Sequence, residues 1–302
     1  MLRATVNHLS RASRRGLVGG RQFAVRYASF DAANQPRIRI GSTAPNFKAV
    51  TTEGNIDFHE FVGDSWTVLF SHPADFTPVC TTELGAFSTL KDEFTKRNTK
   101  LIGLSADPVE SHEKWVKDIE EAATQGQKFD FPIIADKDRE VAYLYDMVDE
   151  EGFKNLSKGP VFTIRNVFII DPKKKVRLFM VYPASTGRNT AEVLRVLDAL
   201  QMTDRTGLVT PVDWTKGSDV IVPPSVSTED AKAKYGDVKE VKSYLRFTKE
   251  PLKSSFVPEG SSTQSRIMLA LLGLGGLTGF TLAQGHDEKQ GLVKDLEQTV
   301  SR

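Results

Sequence analysis

The chain reads as an α/β fold, a central mixed sheet flanked by helices. Two observations lead there. Apolar runs of strand length alternate with stretches whose apolar residues recur every three or four positions, and the last two runs are joined by a turn too short to hold a helix. After about Gly207 the composition shifts to proline and charge, which marks a second, smaller unit.

The elements follow in order. Ile40 to Phe47 is an extended lead-in, and Gly54 to His59 has hairpin character with Gly54-Asn55 in its turn. Trp66-Thr67-Val68-Leu69-Phe70 is a buried strand. A helix from about Val79 carries Leu84, Phe87, Leu90 and Phe94 at helical spacing. Leu101 to Leu104 is the next strand, and Asp107-Pro108 leads into a helix bearing Trp115, Val116 and Ile119. Phe131 to Ile134 is a short strand, with a helix through Val141, Leu144 and Tyr145 after it. Val167 to Ile170 and Val176 to Tyr182, joined by Asp171-Pro172-Lys173-Lys174-Lys175, are expected to pair antiparallel. A helix from Thr190 to Gln201 closes the unit with Val193, Leu194, Leu197 and Leu200 on one face. Strand–helix alternation, then a hairpin and a closing helix, is the order of a thioredoxin-like sandwich.

With 302 residues and 39% apolar content the chain is long enough for one large core plus appendages. Its net charge of +1 is unevenly spread. Residues 1–30 hold Arg3, Arg11, Arg14, Arg15, Arg21 and Arg26 with no acid, so the remainder carries +1 − 6 = −5. A mildly acidic body argues against nucleic acid as a partner. The arginine-rich, acid-free start reads as a mitochondrial transit peptide over residues 1–30, cut near Phe23 or Tyr27 and implying delivery to the matrix.

One cysteine, Cys80, stands where the Trp66–Phe70 run gives way to a helix start. Free N–H groups and the positive end of the helix dipole favour an anion there, which points to a reactive thiolate. A buried cysteine acting as a small hydrophobe is the competing reading. The neighbours decide between them. Pro73, Thr77 and Cys80, in the order P-x-x-x-T-x-x-C, resemble the peroxidatic site of peroxiredoxins, and Ser71 to Leu84 resembles their one-cysteine subgroup.

That resemblance, which covers residues 38–252, implies a thiol peroxidase for hydrogen peroxide and organic hydroperoxides. It implies Cys80 as nucleophile passing through a sulfenic acid, Thr77 orienting sulfur and peroxide, Pro73 shielding the sulfur, and Arg165 stabilising charge. Arg188 is implied to tether Glu83 and help fix Arg165, and His72 to stand near the sulfur. With no second cysteine, an external thiol must reduce the sulfenate, through glutathione with glutaredoxin or through thioredoxin. Residues 38–205 would form the thioredoxin-like peroxidase domain. Residues 206–252, with Thr210-Pro211-Val212-Asp213-Trp214, resemble the subgroup's small C-terminal α+β domain used for homodimer contact.

No metal or cofactor is expected: the sequence has no H-E-x-x-H, cysteine pair, histidine cluster or nucleotide fingerprint. Two further activities are weighed. Gly63-Asp64-Ser65-Trp66-Thr67 with His59 resembles the phospholipase A2 constellation of some subgroup members. Its second glycine is a threonine, however, and its acidic position falls on Lys173, two residues after Asp171. A redox sensor or holdase switched by Cys80 oxidation is the other. Residues 253–302 lie beyond the resemblance and include the uncharged run 267–283, a little short of a bilayer span, through which membrane contact is conceivable.

Overall fold

The computed structural model describes residues 35–155 and 161–251. The transit-peptide reading of 1–30 and the apolar run 267–283 fall outside them. In chain order the elements are β1 (Lys48–Thr51), β2 (Gly54–Asp57), α1 (Phe58–Val62), β3 (Trp66–Ser71), α2 (Pro78–Thr89), α3 (Lys91–Thr95), β4 (Thr99–Ser105), α4 (Val109–Ala123) and β5 (Ile133–Ala135). Then follow α5 (Glu140–Leu144), α6 (Glu150–Asn155), β6 (Arg165–Ile170), β7 (Val176–Tyr182), α7 (Thr190–Thr206), β8 (Val220–Ile221), α8 (Thr228–Tyr235), β9 (Val238–Lys242) and β10 (Leu245–Thr248).

Seven strands form one mixed sheet in the order β2-β1-β5-β4-β3-β6-β7. β3 runs parallel to β4 and antiparallel to β6, and β4 runs parallel to β5. The central strands β3 and β6 are buried at every position because both faces of the sheet are covered. Side chains alternate between faces. Leu69, Phe168 and Ile170 therefore enter one core with Phe47, Phe58 and Tyr145, while Val68, Phe70, Val167 and Ile169 enter another with Leu84, Phe87, Trp115 and Leu197. Cys80 belongs to the second core.

The chain divides into two compact units, the first running to Gln201 and taking back Val212–Lys216. In the second, β8, β10 and β9 form a separate three-stranded antiparallel sheet. Its helix α8 is capped by Ser227, whose hydroxyl oxygen accepts from the Asp230 N–H at 3.0 Å. Tyr235, the last residue of that helix, donates its hydroxyl to the Thr206 carbonyl at 2.9 Å.

Two local expectations need correction. The first hairpin turns at Thr52-Glu53, and Gly54 opens β2 at φ +99. The single helix expected through Phe94 is two helices, because the chain bends at Leu90, the residue that ends α2 and precedes α3. Leu84, Phe87 and Phe94 are still buried, since two short helices on one sheet face keep the same apolar stripe inward.

Candidate active site

β3 delivers the chain to the centre of the sheet at Ser71, and the loop His72–Thr77 turns it into α2. Thr77 is extended at φ −113 and ψ 145, and Pro78 takes the first helical position, where a missing N–H costs nothing. The Thr77 side chain does not cap the helix. Its hydroxyl donates to the Ala74 carbonyl at 2.9 Å, back across the loop. Cys80, in the first turn, is free and has no solvent exposure. Pro73 is half-buried in the same loop.

Two arginines reach this site from distant positions in the chain, and one of them bonds the sulfur. Arg165, the first residue of β6, donates through Nη1 to Cys80 Sγ at 3.3 Å and to Glu83 Oε2 at 2.6 Å. Its Nε and Nη2 both donate to the Ala184 carbonyl, at 3.0 and 2.8 Å, so the guanidinium plane is held from behind. Arg188 donates to Glu83 through its backbone N–H, Nε and Nη2 at 2.7, 3.0 and 2.8 Å. Its Nη1 donates to the carbonyls of Ser71 and Asn166. Burial alone would raise the Glu83 carboxyl, but the Arg188 charge and hydrogen bonds, with Arg165 behind them, hold it below the ordinary carboxylate range. Burial pushes the Arg188 guanidinium down, and Glu83 works against that. Two cations and one carboxylate thus leave a net positive charge facing a buried sulfur.

Burial also lowers the pKa of His72, which has no solvent exposure. Its ring does not bond the sulfur: Nε2 meets Asp75 Oδ1 at 3.0 Å, and Nδ1 has no hydrogen-bond partner. Asp75 also receives His112 Nδ1, at 3.0 and 2.8 Å to its two oxygens. Burial would raise Asp75, yet hydrogen bonds from His112 and His72 hold it well below the carboxylate range. Sequence reasoning missed Asp75 and His112. The first stands inside the highlighted string, but the second is 37 residues away, with no local signal to join them. Two imidazoles and a carboxylate are the residue types of a divalent-cation site, all within 4.8 Å of one another. Their N to O separations of 2.8–3.0 Å, however, are those of shared protons.

The residues of the weighed hydrolase do not meet as a relay. Ser65 Oγ donates to Asn98 Oδ1 at 3.1 Å, and His59 Nε2 lies 2.8 Å from the Ala44 carbonyl oxygen. Asp171 accepts from the Lys175 N–H and from Arg177. A nucleophile needs its base and orienter in hydrogen-bond sequence, and here each is spent elsewhere.

Comparison with known proteins gives a consistent result. Residues 40–179 match the AhpC/TSA family and residues 199–237 the C-terminal domain of 1-Cys peroxiredoxin. The chain is 63% identical over 220 residues to the mitochondrial peroxiredoxin PRX1 of Saccharomyces cerevisiae, covering 73% of this chain and 84% of that one. It is 51% identical to peroxiredoxin-6 of Rattus norvegicus, covering 70% and 97%. Among solved structures it matches the yeast mitochondrial 1-Cys peroxiredoxin whose thiol is resolved via glutathione/thioredoxin systems. That match has 62% identity and a TM-score of 0.65, and it covers 70% of this chain and all of that one. Peroxiredoxin 6 of Arenicola marina matches at 44% identity with a TM-score of 0.67, over 72% of this chain and all of that one.

Proposed function

The chain belongs to the peroxiredoxins, in their one-cysteine branch, and is a thiol peroxidase; from that premise we propose that Cys80 is the peroxidatic nucleophile and that Arg165 is its charge-stabilising partner. The observation that carries this is the Arg165 Nη1 group, 3.3 Å from Sγ while anchored on Glu83 and Ala184. The thiolate attacks the terminal oxygen of the peroxide, a sulfur–oxygen bond forms, and the O–O bond breaks. Sulfur is oxidised to the sulfenic acid as the other oxygen leaves with the electron pair and takes a proton to become water or an alcohol. A guanidinium already aimed at the sulfur meets the developing negative charge without having to reorganise. Thr77 orients the peroxide, Pro73 narrows access to the sulfur, and Glu83 with Arg188 keeps Arg165 in place.

An external thiol then attacks the sulfenic sulfur, water leaves, and a second thiol reduces the mixed disulfide back to Cys80. Glutathione with glutaredoxin, or thioredoxin, supplies these thiols. The protein works in the mitochondrion, in the matrix, as a homodimer. Support comes from the arginine-rich, acid-free start and from 63% identity to a mitochondrial relative.

Stopped-flow mixing of the full chain with hydrogen peroxide and with an organic hydroperoxide tests the assignment. One equivalent of peroxide per chain should be consumed before added thiol, and none by Cys80→Ser. Peroxide loss at an undiminished rate in Cys80→Ser overturns it.

A further inference from the structure

The loop that presents the nucleophile holds a backbone strain. Phe76 sits at φ +54, in the left-handed region that a bulky aromatic residue avoids, and its side chain is 55% exposed, so side-chain burial does not explain the conformation. It is the residue immediately before Thr77, the N-cap of α2. Its ring lies beside that of Trp115 in α4, and the residue that precedes it in the chain is held as well.

That neighbour is Asp75, and it is bound on every side. Its carboxylate accepts from His72 Nε2, in its own loop, and from His112 Nδ1, in α4. Its N–H donates to Asp107 Oδ2 at 2.9 Å, an oxygen that also accepts from Ser105 Oγ at the end of β4. The Ser105 oxygen in turn accepts the Asp107 N–H. The second nitrogen of His112 lies 3.3 Å from the Ile134 carbonyl in β5, so that ring is tied at both ends. The loop is thereby bonded to β4 and, through His112, to α4 and β5.

We propose that Asp75 and His112 are positioning residues that hold Phe76 in its left-handed turn and so set Thr77 against the incoming peroxide. This deepens the proposed function and rests on its assignment of Cys80 and Thr77. The clamp acts on the peroxide-binding side of the site. The sulfur is held separately, by Arg165 with Glu83, Arg188 and the Ala184 carbonyl, none of which bonds Asp75 or His112. Peroxide oxidation and simple alkylation of Cys80 therefore respond differently when the clamp is cut.

The test uses the full chain as wild type, Asp75→Asn, His112→Gln, Phe76→Gly and Asp75→Asn with Phe76→Gly. In Asp75→Asn the amide group opposes the His112 Nδ1 proton. Glycine tolerates φ +54 without a clamp. Stopped-flow oxidation by hydrogen peroxide is expected to slow at least tenfold in Asp75→Asn and in His112→Gln, while iodoacetamide alkylation stays within threefold of wild type. Adding Phe76→Gly to Asp75→Asn is expected to return at least threefold of the lost peroxide rate relative to Asp75→Asn alone. Should Asp75→Asn fail to fold, the same split in His112→Gln decides. Both rates falling together, neither falling, or Phe76→Gly giving no recovery in a folded double variant overturns the clamp. A wild type that leaves peroxide unconsumed overturns the peroxidase assignment and the clamp with it. A fast wild type matched by Asp75→Asn overturns the clamp alone.

Discussion

Replacing Glu83 by glutamine removes one negative charge and turns one acceptor oxygen into an NH2 donor that faces other donors, and the structure says how much that carboxylate does. Glu83 is 4% exposed and accepts three of the five hydrogen bonds made by Arg188 and one from Arg165. The side chains of both arginines are buried, at 3% and 0% exposure. Breaking a buried ion pair by neutralising one partner costs about 3–5 kcal/mol, because the remaining charges stay desolvated. A solvated pair would cost under about 1 kcal/mol. For a unit of this size about 2–4 °C of melting temperature accompanies each kcal/mol, so Glu83→Gln should melt about 6–20 °C below wild type. The pH dependence has a definite sign. The folded carboxyl lies below its unfolded range, so its contribution is fully present above the unfolded pKa of about 4.5 and fades as the pH falls through the lower folded value. Urea unfolding at neutral pH and at successively lower pH should show the wild-type advantage shrinking with acid. In a double-mutant cycle, Glu83→Ala with Arg188→Ala should cost less than the two single changes summed. A Glu83→Gln loss below about 1 kcal/mol, or strict additivity in the cycle, refutes the reasoning that the buried carboxylate holds both guanidinium groups.

Three more substitutions, two in the site and one where α2 packs on α4, give further tests. Arg165→Met should slow peroxide oxidation about 100- to 1,000-fold, the scale of losing one preorganised donor to developing charge. Arg165→Lys should recover only part, since one ammonium cannot reach the sulfur, Glu83 and the Ala184 carbonyl together; a stopped-flow rate for the methionine variant within threefold of wild type counts against the role. Gly85→Ala would put a Cβ 2.4 Å from the Ala123 Cβ and 2.9 Å from its carbonyl oxygen, where α2 meets α4. The overpacking should cost about 1–3 kcal/mol in urea unfolding, and an unchanged midpoint would show that the two helices separate freely.

Much of the fold was legible because its signals are local. The run Trp66 to Phe70 marked β3 as a buried strand, Val167 to Ile170 marked β6 as a strand, and the short turn before β7 required an antiparallel partner. The bend at Leu90 was not legible. Leu84, Phe87, Leu90 and Phe94 keep helical spacing across it, and the break is made by backbone geometry without a proline or glycine there to announce it. The hairpin turn was placed too late for a related reason: Gly54 attracts a turn assignment, yet it opens the second strand.

By itself the sequence determined the setting of the proposed nucleophile: a lone thiol at the start of a helix, after a buried strand. Those are matters of neighbouring residues and of period, which the chain carries along its own length. Only the tertiary structure decided what surrounds the sulfur. Arg165 is 85 residues from Cys80, Arg188 is 105 from Glu83, and His112 is 37 from Asp75. The charges of the two arginines matter because packing excludes water from them, and water is excluded only once the sheet, α2 and α4 have closed on each other. A guanidinium in solvent is weakened by the dielectric of water and screened beyond about 8 Å, whereas one buried against a thiol and a carboxylate acts at close to its full strength.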